Sequence, residues 1–303
     1  MTAVSWCRGR ATPAPVVEGG SLLERDHRIE LQYDGTGLHG WAKQPGLPTV
    51  EGALEDAFLT VLGRVPDWEV AGRTDAGVHA RRQVLSVRLP WGLDLAKLRR
   101  SLNALTPPGI AVMDIRLAPR GFDARVQATS RVYRYFLSIG PVASPFWKPY
   151  CWHVPHEVNW EAMEKAAAAV VGRHDFTGFT PVETEHVHFT RRVLVCRWRP
   201  LRGEHFGPPR LRARGGALYQ KVGVPDLRYL EIEADAFLRH MVRTLVGTMV
   251  EVGKGARDLE DFTRLLRGAS REQAGPTAPA QGLFLWDVKY GRKRGAAPED
   301  QPA

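Results

Sequence analysis

The segment Gly72-Arg73-Thr74-Asp75-Ala76-Gly77-Val78-His79-Ala80 concentrates the reactive side chains of this sequence around one carboxylate, Asp75. Two glycines and an Arg-Thr-Asp run make it a poor core strand, yet it is too small and tight for an ordinary solvated loop. Glycines on both sides of an acid would let a planar or polyanionic ligand approach the backbone closely. A purely structural turn accounts for the same residues equally well. Arg73 stands two before Asp75, so in an extended segment the two side chains project to the same side. His186 and His188 would share a strand face, but no third ligand has suitable spacing, so they read as an ordinary pair and no metal site is expected. A metal-dependent hydrolase would need clustered carboxylates or histidines, which the sequence lacks. Cys7, Cys151 and Cys196 are far apart and form no C-x-x-C, so neither a zinc ribbon nor a redox pair is indicated. Three cysteines without a framework suit a reducing compartment, and a cytoplasmic location is expected.

The 303 residues carry 42 Lys+Arg against 33 Asp+Glu, a net charge of +9 made mostly of arginine. That balance favours a polyanionic partner, and arginine forms forked contacts to phosphate. Composition is globular, with 44% apolar and 25% charged residues. No apolar run reaches the roughly 18 residues of a membrane-spanning helix. Residues 1–27 are rich in Gly, Pro and Arg and are expected to form a disordered leader. They lack the layout of a secretory signal. Arg8 and Arg10 faintly resemble a transit peptide, but Glu18 and Glu24 oppose that.

Order is expected from Ile29, where Ile29, Leu31 and Tyr33 alternate as on a half-buried strand. Asp34-Gly35-Thr36-Gly37 breaks the strand. Thr49 caps a helix whose apolar positions run from Val50 to Leu62, with Gly63 as its stop. Further strands are expected at 84–89, 112–117, 132–137, 193–198, 229–234 and 284–290. On the last, Phe284, Trp286, Val288 and Tyr290 would share a face. Helices are expected at 95–105, 160–171, 237–252 and 259–267. In the 237–252 helix, Leu238, Met241, Val242, Leu245, Val246, Met249 and Val250 form the apolar stripe, while Arg239 and Arg243 share one edge. An arginine flanked by buried positions either finds an acidic partner or snorkels to solvent. Tyr133, Tyr135 and Leu137 face one way along their strand, and Val132, Arg134 and Phe136 the other. The 199–228 stretch is a basic loop that either tracks phosphates or is a solvated linker, and 291–303 is expected to be a disordered tail. Mixed elements with alternating strands define an α+β class with mainly antiparallel sheets.

In order along the chain, several motifs resemble the tRNA pseudouridine synthase A family. They are Tyr33-Asp34-Gly35-Thr36 with Gly40-Trp41; Thr49-Val50-Glu51-Gly52; the Gly72–Ala80 segment; Arg131-Val132-Tyr133-Arg134-Tyr135; and His174-Asp175-Phe176. Phe237-Leu238-Arg239-His240-Met241-Val242-Arg243 with Val246-Gly247, and Thr277-Ala278-Pro279-Ala280 with Gly282-Leu283, complete the set. The likeness spans roughly residues 28–290. It departs at Ala42, where the family usually has Gln.

The resemblance implies a pseudouridine-synthase fold of two similar α+β halves, 28–137 and 138–290, whose sheets join across a central cleft. It implies an isomerase that converts uridine to pseudouridine at positions 38, 39 and 40 of the tRNA anticodon stem–loop, without a cofactor. Asp75 would attack the ribose C1′ or the base C6, or remove a sugar proton. Arg243 would hold that carboxylate ionised. Tyr133 would stack on the uracil and could take the C5 proton. Arg73 would bind a phosphate beside the target or fill the gap left by the flipped base, unless it is a plain surface arginine. His79 is structural or faces RNA, and Leu283 would pack on the uracil. The family is homodimeric, and its RNA spans both subunits. The competing class is a non-catalytic RNA-binding protein on the same scaffold.

Overall fold

A computed structural model of the chain describes residues 23–183, 187–201 and 226–291. Most of the leader, Cys7, His186 with its proposed pairing to His188, most of the 199–228 stretch and the tail beyond Gly291 lie outside the described residues. The described elements, in chain order, are β1 (Glu24–Tyr33), α1 (Val50–Leu62), β2 (Trp68–Val70), β3 (His79–Pro90), α2 (Leu95–Leu105), β4 (Ile110–Leu117) and β5 (Ala128–Ile139). There follow β6 (Trp152–Val154), α3 (Trp160–Ala169), β7 (Gly172–Asp175), β8 (Thr190–Pro200), β9 (Asp226–Ala234), α4 (Met241–Gly253), α5 (Leu259–Leu265) and β10 (Leu283–Tyr290).

All ten strands join one mixed sheet. Its main path is β4-β1-β3-β10-β5-β9-β8-β7, with β2 beside β3 and β6 beside β5. Pairing is antiparallel except for β5–β6 and β3–β10. The second exception is the seam of the molecule, because only Phe284↔His79 and Leu285↔Ala80 pair across it. The alternation of β1 works as expected, with Ile29, Leu31 and Tyr33 buried in the core; β3 buries Leu85, Val87 and Leu89 there too, but its other face is also buried at Val84 and Ser86. β1 starts at Glu24, so the last residues of the expected leader are strand.

Helix ends follow their caps. The Thr49 hydroxyl accepts from the Gly52 amide, and Gly63 closes α1 in the left-handed region at φ 73°. Asp94, Asn159 and Asp258 cap α2, α3 and α5 in the same manner. β2, β6 and β7 were not anticipated, because three or four residues are too few to establish a period. Gly172 (φ 124°) opens β7 instead of closing α3.

Two sequence expectations are corrected. The helix expected from Phe237 begins only at Met241: the Met241 amide donates to the Leu238 carbonyl, and His240 sits at φ 59°, which no right-handed helix permits. Arg239 therefore precedes the helix and does not share an edge with Arg243. On β10, register shifts at Leu285/Asp287 break the shared face. Phe284 packs with Phe136 and Cys151, with Trp286 against that cluster, whereas Val288 joins the main core on the other side.

The apolar stripe of α4 is also wider than its spacing implied. Eleven of its residues are buried, and the only two that are not are charged, Arg243 and Glu251. Such a helix needs packing on every side. Gly247 allows this, because a Cβ there would stand 1.8 Å from the Pro276 carbonyl oxygen. We predict that Gly247→Ala lowers stability by about 1–3 kcal/mol through this backbone clash. That outweighs the helix-propensity gain of at most about 1 kcal/mol. Thermal melting checks it, and a raised Tm would contradict the packing.

Candidate active site

Asp75 is carried by a loop that leaves β2 and enters β3, held to the 33–41 segment at close range. The Trp41 amide donates to Thr74 O at 3.0 Å, and the Gly77 amide to Leu38 O at 3.1 Å. A Cβ at Gly40 would lie 2.7 Å from Thr74 O, and one at Gly35 would lie 2.3 Å from Val78 O. Both glycines are thus required by approach of backbone to backbone around the acid. Beneath the loop, Gln83 Nε2 donates to Gly72 O (2.7 Å) and to the Tyr33 hydroxyl (3.3 Å). The Tyr33 hydroxyl lies 2.8 Å from Thr74 Oγ1, a hydrogen bond that either hydroxyl can donate. Burial pushes the Tyr33 phenol up to about 12, which keeps it protonated. Arg131 holds the start of the loop: its guanidinium donates to Ala71 O at 2.8 and 3.1 Å, and also to Arg125 O and Asp235 O.

His79 closes the far end. It is 1% exposed. The Gly35 amide donates to Nδ1 at 3.0 Å, so Nδ1 accepts and Nε2 carries the proton, which it donates to Gln281 O at 3.1 Å. Asp34 Oδ1 lies 3.1 Å from the same Nδ1. Burial lowers the His79 pKa; the Asp34 charge and the Gln281 carbonyl oppose this without overcoming it. The ring is accordingly a neutral bracket between two loops. Of the two readings His79 was given, these contacts support the structural one.

Across from Asp75 stands the first turn of α4. Arg243 Nη1 is 3.4 Å from Asp75 Oδ2, and His240 Nε2 is 3.5 Å from the same oxygen. The Arg243 Nε donates to Ala278 O at 2.8 Å, and the Ala278 amide donates back to Arg243 O at 3.1 Å. The 276–282 loop thereby fixes the guanidinium. It is itself fixed by the Tyr135 hydroxyl on Pro279 O (2.8 Å) and by Gly282, whose missing Cβ leaves room for the Tyr135 ring. Asp75 retains 29% side-chain exposure against 15% for Arg243, so the crevice is open on one side in the free protein.

Tyr133 is 9% exposed, with its ring edge-on to Phe237 at 4.9 Å. Burial raises the Tyr133 phenol well above its ordinary value, and the Asp75 carboxylate raises it further. Arg73 is exposed, beside Asp75 in the chain. Leu283 is buried at 6% and pairs in register with Tyr135. The geometry thus brings Asp75 and Arg243 into contact and places Tyr133 within electrostatic reach of Asp75. Among the described residues, the ion pairs of Asp75 are with Arg243 and His240, not with Arg73.

Sequence reasoning missed His240, Phe237 and Arg131 as parts of this site. His240 and Phe237 were read as part of the 237–252 helix, outside its apolar stripe, and the left-handed backbone at His240 takes them out of the helix. Arg131 stood in a quoted motif, but four converging carbonyls cannot be read from spacing. Among the described residues, no group of three or more His, Cys, Asp or Glu is arranged to hold a metal ion.

The site sets an acid against a helix-borne arginine, with a buried tyrosine on β5. Residues 166–291 match the model of a family described as tRNA pseudouridine synthase. Relatives called tRNA pseudouridine synthase A align along nearly their whole length. The one from Syntrophotalea carbinolica is 38% identical over 90% of this chain and 97% of its own. Those from Chlorobaculum tepidum (37%; 88% and 98%) and Myxococcus xanthus (36%; 87% and 91%) are similar. An unknown protein from Galdieria sulphuraria, of known structure, aligns at 12% identity with a TM-score of 0.20, over 77% of this chain and 94% of that one, too distant to bear on the fold. The chain belongs to the tRNA pseudouridine synthase A family, and it is an enzyme of the isomerase class.

The neutral His79 bracket has a pH consequence. Its pKa is lowered in the folded state, so the unfolded chain binds its proton first as pH falls. The stability it contributes is complete above about pH 6.5 and is lost progressively below that. His240, also lowered by burial, acts in the same direction. We predict that denaturant midpoints fall between pH 7.5 and 5.5, and that His79→Gln flattens this slope. An unchanged slope would mean that the ring binds its proton equally well folded and unfolded.

Proposed function

We propose that this protein isomerises uridine to pseudouridine in tRNA, with Asp75 as the reacting carboxylate, Arg243 as its charge partner and Tyr133 as the platform for the base. The observation that carries this is the Asp75–Arg243 contact at 3.4 Å beside a buried tyrosine, in a chain of this family. The reaction breaks N1–C1′, turns the freed uracil and joins C5 to C1′, with no net redox and no water consumed. Asp75 reacts at C1′, at C6 or with a sugar proton, and the Arg243 guanidinium stands 3.4 Å from its Oδ2. Stacking on Tyr133 contributes about 1–3 kcal/mol, comparable to the few kcal/mol that extruding a base costs. Because burial and the Asp75 charge keep the Tyr133 phenol protonated, the platform role has more support than that of acceptor for the C5 proton.

The finer assignments belong to the same proposal. The uridines are those at positions 38, 39 and 40, the enzyme works in the cytoplasm as a homodimer, and Arg73 meets the RNA backbone. Leu283 packs near the uracil. The sheet divides into two similar halves across the β3–β10 seam: β4-β1-β3 with α1 and α2 on one side, and β5-β9-β8 with α3 and α4 on the other, support that division. The +9 net charge supports a tRNA partner.

Incubation with unmodified tRNA, then carbodiimide treatment and primer extension, should give stops one nucleotide 3′ of positions 38 to 40. Asp75→Asn should abolish those stops while tRNA affinity stays within about twofold. Stops that persist with Asp75→Asn would remove it from the chemistry, and a wild-type protein that binds tRNA without producing any would be a non-catalytic binder. Arg243→Met should cut turnover on the order of a hundredfold with little effect on binding, as expected for loss of a preorganised charge partner.

A further inference from the structure

Arg243 does not hold Asp75 alone. His240 Nε2 stands 3.5 Å from Asp75 Oδ2, the oxygen that Arg243 Nη1 also approaches. To reach it, His240 adopts φ 59°, and it is the only non-glycine residue with positive φ among the described residues. The position is the third residue of a turn closed by the Met241 amide on Leu238 O, a place where Gly or Asn is ordinarily required. The turn is tied down from a second side by the Thr180 hydroxyl on Arg239 O at 3.0 Å. Backbone strain of this kind persists where the surroundings over-determine it, and it concentrates at functional sites. Here the surroundings are the buried Leu238 and Met241 on either side and the acid in front.

We propose that His240 is a positioning residue for Asp75: its neutral Nε2–H, together with Arg243, holds Oδ2 and leaves Oδ1 as the oxygen that reacts. This rests on the isomerase reading and deepens it. The charged groups facing the ring are Asp75 from the β2–β3 loop, Arg243 from α4, Arg239 from its own turn and Arg271 from the 271–273 turn. Burial and the three arginines disfavour the imidazolium, against the pull of Asp75, so the ring enters the reaction neutral. A neutral donor orients the carboxylate without adding a second full charge that would weaken it as a nucleophile or base. With Oδ2 held by two donors, Oδ1 attacks C1′ or C6, or takes the sugar proton, and the assignment is the same on all three routes.

Two substitutions separate the ring from the backbone. Asn and Gly both accept the left-handed conformation; Gly has no side-chain donor, and the Asn amide is too short to take the place of Nε2 against Oδ2. His240→Asn and His240→Gly should each fold with a Tm at or above that of the wild type. Each should lower kcat by about ten- to a hundredfold, the cost of a misplaced reacting group, with KM for tRNA and tRNA affinity within about twofold. The wild-type kcat should fall at acid pH as the imidazole charges, and both variants should lose that component of the profile. His240→Ala, which keeps the strain and loses the ring, should lower both Tm and kcat. If the Asn and Gly variants melt as the wild type does and keep its kcat and acid limb, His240 is merely a turn residue. If kcat falls only in proportion to folded fraction, the same conclusion holds. Wild-type protein assayed alongside keeps the two proposals apart, because absence of pseudouridine in that control would overturn the isomerase reading instead.

Discussion

An acid and a base 168 residues apart in sequence must meet at one edge of a cleft, and the rest of this structure is arranged around that meeting. The contact is deliberately incomplete. Arg243 spends its Nε on the Ala278 carbonyl, so only one arm of the guanidinium reaches Asp75, and at 3.4 Å it is longer than a close ion pair. A full bidentate bridge would have satisfied the carboxylate and lowered its reactivity. One distant arm reaches Oδ2 alone and leaves Oδ1 out of the contact.

Holding two long side chains at such a spacing calls for rigidity on both banks. On the acid's bank it comes from close backbone contact at Gly35 and Gly40, from the Tyr33–Thr74–Gln83 hydrogen bonds below, and from Arg131 and His79 at the two ends. On the arginine's bank it comes from a helix buried on all sides and from the 276–282 loop, which touches α4, Tyr135 and His79 in turn. These supports are mostly polar groups on main-chain carbonyls. Such bonds specify geometry more than they add net stability.

The parts of this architecture that were legible in the sequence are those with a local signature. Thr49 and Gly63 bracket α1 because capping chemistry is local, and β1 and β3 announce themselves by two-residue alternation. The Gly72–Ala80 segment marked out Asp75, but the close backbone approach falls at Gly35 and Gly40, while Gly72 has open space around it. Nothing in the spacing could reveal that α4 starts at Met241, because Phe237-Leu238-Arg239-His240 fits a helical period and only the tertiary grip on Arg239 O and Leu238 turns it aside. The face switch on β10 was invisible for the same reason, since a bulge is decided by neighbouring strands. His79 looked ambiguous in isolation; its tautomer is set by Gly35 and Gln281, one near and one 202 residues away.

The position of β10 has a consequence for biogenesis. The last strand of the described chain lies in the middle of the sheet, between β3 and β5, and it alone joins them. While the polypeptide emerges from the ribosome, the strands on either side can pair among themselves, but the seam stays unfilled until residues 283–290 are released. Asp75 and Arg243 are both synthesised well before that moment, yet the bracket from His79 to Gln281 cannot close. The bracketed form of the Asp75 loop therefore assembles only once residues 281–290 are available.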